Sequence, residues 1–165
     1  MNRSFRRAGA LGAATIAAVT FAAAAPASAA ASSNGLEFTL YSKEVPVQGA
    51  DESGPAPKVG DSFAFADDLY KTKGGDKVGR DGVACTVVRT GDPNDLMCVG
   101  TFALTGGPGG QLTGQNLLSF DPSDEAPAAF DIAVTGGTGD FKDARGWIRS
   151  TPDGDYSRLE FHISR

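Results

Sequence analysis

Two cysteines and a single histidine are the residues with the sharpest chemical potential in this 165-residue chain, and their spacing limits what they can do. Cys85 and Cys98 flank the turn Thr90–Asp95, and a hairpin centred on Gly91 and Asp92 sets them directly opposite each other. Opposed residues of a non-hydrogen-bonded antiparallel pair have Cα atoms about 4.5 Å apart, within reach of a disulfide. A nucleophilic thiol is the competing reading. It needs a neighbour that depresses the thiol pKa, and His162 stands far along the chain. One His and two Cys supply neither a multi-His zinc site nor a four-thiolate cluster, so no metal and no cofactor is expected. The glycine runs Gly106–Gly110 and Gly136–Gly139 connect strand candidates and lack the Lys-Ser/Thr of a triphosphate loop, so they read as turns.

Among the acids, Asp67 stands out through strand parity. Phe63, Phe65, Asp67 and Leu69 alternate onto one face of the segment Asp61–Tyr70. An ionised carboxylate on a buried face is costly unless paired or wet. Two placements follow: a rim position with a salt bridge to Arg80 or Lys71, or an acid inside a pocket. His162 alternates against Phe161 and Ile163 and reads as surface-facing, and Trp147, alternating with Arg145 and Arg149, reads as outward or intersubunit.

These residues need strands to position them. Candidate strands are 36–42, 61–70, 84–89, 96–104, 111–120, 129–135, 144–151 and 156–163, separated by Gly-, Pro- and Asp-rich connections. Residues 45–61 read as a loop, 71–77 as a Lys-Gly turn and Pro152–Asp155 as a hairpin turn. Asp140–Ala144 offers at most one helical turn. Eight short strands without a long amphipathic helix predict an all-β sandwich or barrel. A closed eight-stranded barrel removes exposed edges and encloses room for packed side chains or one small ligand.

The first 29 residues read differently. Arg3, Arg6 and Arg7 precede an Ala-rich apolar stretch, and Pro26-Ala27-Ser28-Ala29 ends it with a small-x-small pattern. That order is a secretory signal peptide, with Ala31 an alternative end. The expected organisation is a signal over 1–29, a flexible mature start over 30–35 and a single barrel domain over 36–165. The product is secreted and extracellular, without stable membrane insertion after cleavage. The mature 136 residues carry 12 basic and 20 acidic groups, a formal charge of −8, which argues against nucleic acid as a partner. Export also favours oxidised cysteines.

The runs Gly60-Asp61-Ser62-Phe63, Asp68-Leu69-Tyr70, Val78–Cys85 and Cys98…Thr101-Phe102 resemble the allene oxide cyclase and dirigent family. The strongest match is Ala133–Phe141 followed by Ala144-Arg145-Gly146. The resemblance spans Leu36 to the C-terminus, and its Ala-rich signal looks bacterial. It implies an eight-stranded antiparallel β-barrel of calycin-like architecture with an interior pocket, and a homotrimer. Family activities are cyclisation of an unstable epoxide and stereochemical guidance of radical coupling. On the natural alignment, the cyclase pocket glutamate and asparagine of the first strand fall at Tyr41 and Lys43, with Glu44 close by but off the count. A second-strand asparagine falls at Asp67, which makes that face the inner one, and the cavity cysteine falls at Cys85. Dirigent-type chemistry needs a few pocket acids, for which Asp67 and Asp131 are candidates. The expected pocket is therefore Tyr41, Phe63, Phe65, Asp67, Tyr70 and Asp131.

Because the cyclase set is largely replaced, no catalytic residue is assigned. The first expectation is a secreted barrel that binds a small apolar or phenolic molecule without turnover. A cyclase (isomerase) or dirigent-type stereo-directing protein is the alternative, and a structural or protein-binding exported domain is the third.

Overall fold

The computed structural model describes residues 35–46, 56–121 and 128–165. The expected signal peptide and most of the mature start lie outside the described residues. Eight strands follow in order: β1 (Leu36–Glu44), β2 (Ser62–Tyr70), β3 (Lys77–Arg89), β4 (Asn94–Leu104), β5 (Gly110–Phe120), β6 (Phe130–Gly139), β7 (Arg145–Asp153) and β8 (Tyr156–Ser164). Each is antiparallel to the next, and β8 pairs with β1 to close the barrel. The eight-stranded antiparallel barrel that the family resemblance implies, one of the two architectures the strand spacing allows, is thus the observed fold. Among the described residues no helix is long and apolar enough to cross a membrane.

Two strands, β3 and β6, extend well beyond their expected bounds, and one expected helical turn is absent. β3 begins at Lys77 rather than Ala84, because Asp68, Asp67 and Ala66 continue the β2 ladder against Arg80, Asp81 and Gly82. β6 runs through Gly136–Gly139, which the sequence reads as a tight connection. Small residues are required there: a Cβ on Gly137 would sit 2.5 Å from the Gln111 carbonyl and 2.6 Å from that of Phe141. A register shift at Thr113/Gly114 accommodates the extra residue Thr135. Residues 140–143 form turns rather than a helix, held by the Phe141 and Ala144 N–H groups donating to Thr138 and Phe141 carbonyls.

The barrel interior divides into two halves. At the end carrying the β2–β3, β4–β5 and β6–β7 connections it is solid, filled by Leu69, Leu104, Leu112, Ile148, Phe161 and the inserted ring of Phe141. Phe102 and Phe38 pack on Phe161 edge-on and stacked, at 5.7 and 4.4 Å between centroids. Toward the other end a smaller cluster of Cys85, Val87, Leu96 and Cys98 lines one side only. Cys85 and Cys98 are cross-strand partners with Cα atoms 4.1 Å apart and are joined as a disulfide, as their symmetry about the turn predicts.

Strand pairing is also incomplete toward that second end. The β5–β6 ladder stops at Gln115↔Ala133, and the β1–β2 ladder covers only Tyr41–Glu44 against Tyr70–Asp67, prolonged by Val45 N–H on Ala66 O.

Candidate functional site

Glycine creates the cavity. Counting inward positions across the ladders, Phe65, Val83, Gly100 and Gly114 occupy one level of the barrel. The next level toward the solid half is Asp67, Asp81, Phe102 and Leu112, and the level toward the open end is Phe63, Cys85, Cys98 and Asn116. Two glycines side by side leave the middle level without side chains on β4 and β5. The space so left is a cavity of about 280 Å³. That is near the lower end of ordinary small-ligand pockets, which run from roughly 300 Å³ upward.

The wall is mostly apolar: Phe65, Val83, Leu96, Phe102, Ile132 and the disulfide. Phe63 and Phe65 lie nearly parallel, 6.5 Å apart, and Phe63 is 49% exposed. It marks the mouth. Polar groups come from Ser42 of β1, Asp67 of β2, Asp81 of β3, Asn116 of β5, Ser150 of β7 and Ser157 of β8. No Lys, Arg or His is among the lining residues.

Asp67 and Asp81 are directly opposed on β2 and β3, and the Asp67 N–H donates to Asp81 Oδ1 at 3.1 Å. Asp81 is only 6% exposed. Burial pushes its carboxyl up to about 7; the Asp67 charge adds to this and the Asp67 N–H partly offsets it. Burial also raises Asp67, opposed by a hydrogen bond from Ser42, with Glu44 and Asp68 adding repulsion. Two carboxylates this close in an apolar wall resist joint ionisation, so the pair keeps a proton to higher pH than a free carboxylate would. Such a pair can accept and donate hydrogen bonds at once.

The sequence-derived pocket residues separate into two groups. Phe63, Phe65 and Asp67 lie on the cavity wall. Asp67 takes neither of the rim partners weighed from the sequence: Arg80 and Lys71 are not joined to it, and Ser42 is. Tyr41, Tyr70 and Asp131 are not brought to the cavity. On β1 the buried residues are Leu40 and Ser42, so Tyr41 and Lys43 point outward. Lys73 Nζ lies 5.9 Å from the Tyr41 ring, and Lys43 Nζ lies 5.2 Å from that of Tyr156. Tyr70 meets Tyr156 edge-on at 6.0 Å. Asp131 is exposed and accepts from Arg149 at 3.0 Å. The alignment of Tyr41 with a cavity glutamate is therefore one residue out of phase, and one residue in a strand exchanges inside for outside. Trp147 and His162 face outward, stacked at 4.0 Å, with His162 Nδ1 3.2 Å from Glu37.

Asp81 is the residue that sequence reasoning missed. Its signal was present, since 81, 83, 85 and 87 share parity and Cys85 already marks an inward position. Starting the third strand at Ala84 hid it. Inward glycines at 100 and 114 were readable in the same way.

Comparison with known proteins agrees with this geometry at the level of fold. No protein-family model and no curated protein matches the chain. Among solved structures, one similar to it is a pyocyanin demethylase, 28% identical over 78% of this chain and 99% of that one, with a TM-score of 0.62. Another is the pterocarpan synthase dirigent protein GePTS1, 20% identical over 95% of this chain and 97% of that one, with a TM-score of 0.59. The chain shares its closed antiparallel barrel fold with both structures, and that fold resembles the dirigent and allene oxide cyclase-like barrels.

Proposed function

We propose that this protein is a secreted small-molecule-binding barrel that holds one apolar or phenolic aromatic molecule in the half-barrel cavity. The observation that carries the reading is the hollow level at Gly100 and Gly114, walled by aromatic and aliphatic groups with the Asp67–Asp81 pair beneath it. An aromatic body suits the wall, and a hydroxyl suits a carboxyl pair that can both accept and donate hydrogen bonds. Calorimetric titration with 2-naphthol tests it. Saturable one-to-one binding is expected, and it should be lost in Gly100→Leu. In that variant the new Cβ would lie 3.3 Å from a Val83 methyl, and the rest of the side chain fills the cavity. Absence of binding, or binding indifferent to Gly100→Leu, would overturn the reading.

Catalysis is the second reading, and the Asp81 carboxyl near 7 favours it, because acid–base work needs a group poised near ambient pH. Two assays address it: chiral product from freshly generated allene oxide, and a demethylated product from pyocyanin. With Tyr41 and Lys43 outside the barrel, no enantiomeric excess above spontaneous cyclisation is expected from the first. An excess lost in Asp67→Asn would put the enzyme reading ahead.

Secretion and assembly complete the proposal. The mature chain is expected to start near Ala30, and N-terminal sequencing of exported protein checks it. The homotrimer implied by the family resemblance has an apolar outer patch to use, since Met97 and Leu117 are exposed cross-strand partners with exposed Val99 beside them. Light scattering of the purified protein measures the mass.

A further inference from the structure

The cavity reading leaves open what the polar end of the ligand is, and the distribution of charge around Asp67 and Asp81 addresses it. Every ionisable group on the cavity wall is an acid. On β1, the Cα partner of Asp67 is Glu44, which adds a third carboxylate at the same level, and the inward neighbour is neutral Ser42. On β2, Asp68 follows Asp67 and is paired to Lys77. On β3, Arg80 precedes Asp81 on the opposite face of the strand and stands across from Asp68. On β4 the residue facing Asp81 is Phe102, and β7 and β8 contribute Ser150 and Ser157, none of them ionisable. Lys43 is turned outward over Tyr156. Among the described residues no cation reaches the cavity side of this acid pair.

One oxygen of Asp81 accepts the Asp67 N–H, and the other has no hydrogen-bond partner among the described residues, although the residue is 94% buried and lines the cavity. Among the described residues no buried polar side-chain atom is left without a partner, so that second oxygen is open to the cavity, where the polar or charged end of a ligand can meet it. Above it stand the rings of Phe63 and Phe65 on the same wall, and aromatic π-systems attract cations as well as aromatic planes.

We infer that the ligand this cavity selects is a small aromatic cation, seated with its positive centre against Asp67 and Asp81 and its ring body between the level of Gly100 and the Phe63–Phe65 mouth. This rests on the proposed small-molecule-binding role and names the class that the role takes. A cation favours the doubly ionised pair, so its binding expels the proton that the empty site retains. Affinity therefore rises with pH across the range in which Asp81 ionises.

N-methylquinolinium and its uncharged isostere 1-methylnaphthalene separate the inference from the reading beneath it. Titration calorimetry of the purified protein is run at pH 6 and pH 8, each in two buffers of different ionisation enthalpy. The cation is expected to bind at least tenfold tighter than the isostere at pH 8. Its affinity should fall about tenfold on going to pH 6, as one linked proton requires, and the buffer comparison should show nearly one proton released at pH 6. In Asp81→Asn the preference should shrink to about threefold and the pH dependence disappear, while 1-methylnaphthalene still binds. Asp67→Asn is the second variant and should do the same. Equal binding of both compounds, or a preference untouched in both variants, overturns the cation inference and leaves the aromatic cavity standing. If neither compound binds wild type, the cavity reading falls together with it.

Discussion

Asp81 accepts the main-chain N–H of Asp67 at 3.1 Å, and through that bond two like-charged side chains are held as direct cross-strand neighbours in a mostly apolar wall. The bond eases one oxygen of Asp81 without supplying a counter-charge. The pair is therefore a place where folding resists ionisation.

Stability should fall as pH rises through this site. The Asp81 carboxyl is pushed up to about 7 in the folded protein, above the usual carboxylate value near 4 in the unfolded chain. Between those values the folded state holds the extra proton, so unfolding becomes easier with rising pH, and the penalty is complete above about 7. Asp81→Asn removes the charge at constant shape. It should be more stable than wild type at pH 8, by up to roughly 3 kcal/mol, with the gap narrowing toward pH 4. Urea melts at four pH values measure this; a gap that widens on acidification would refute it.

The Cys85–Cys98 bridge should be structural. Intact mass after alkylation is expected to show two added groups only when reductant precedes the alkylating agent. Replacing both cysteines by serine should lower unfolding free energy by about 3 kcal/mol in the chain-entropy account. It should also loosen the cavity wall these residues form.

Phe141 is fully buried and closes the solid end of the barrel from the β6–β7 turn. Phe141→Ala should cost about 3–5 kcal/mol, as for large core aromatics elsewhere. The loss should appear in denaturant midpoints, with ligand affinity at the opposite end nearly unchanged in protein that remains folded.

Two glycines with positive φ should respond differently to alanine. Gly154, at φ 67°, sits in the β7–β8 turn with open space around its Cβ position, so Gly154→Ala should cost about 1–2 kcal/mol from backbone conformation alone. Gly146, at φ 139°, would place a Cβ 2.0 Å from the His162 carbonyl oxygen. Gly146→Ala should cost clearly more than Gly154→Ala, since β7 and β8 would have to separate there. Paired thermal melts compare them.

Eight alternating segments with Gly, Pro and Asp between them left a sandwich or a barrel, and the family resemblance selected the barrel; the disulfide was legible because residues 85 and 98 are equidistant from the turn centre. Parity also gave Phe63, Phe65 and Asp67 as one face. Where reading failed, the reason was phase. Tyr41 was placed by alignment rather than by its own strand, where Leu40 and Ser42 are the buried residues. Asp131 looked like a pocket acid, yet the partner that satisfies it, Arg149, comes from β7 and is invisible without the register. The volume of the cavity depends on Gly100 and Gly114 standing side by side, which only the β4–β5 pairing reveals.

The ladder between β5 and β6 ends at Gln115↔Ala133, so Asn116–Phe120 and Phe130–Ile132 form walls that are not stitched to each other. Amide hydrogen exchange should register this as two zones. Leu112 and Val134, within the paired stretch, are expected to exchange only with global opening. Amides of Leu117–Phe120 that point toward β6 should exchange through local breathing at far lower free energy. For the proposed ligand, such a seam offers a route between two strands that needs no unfolding of the barrel and leaves the solid half closed.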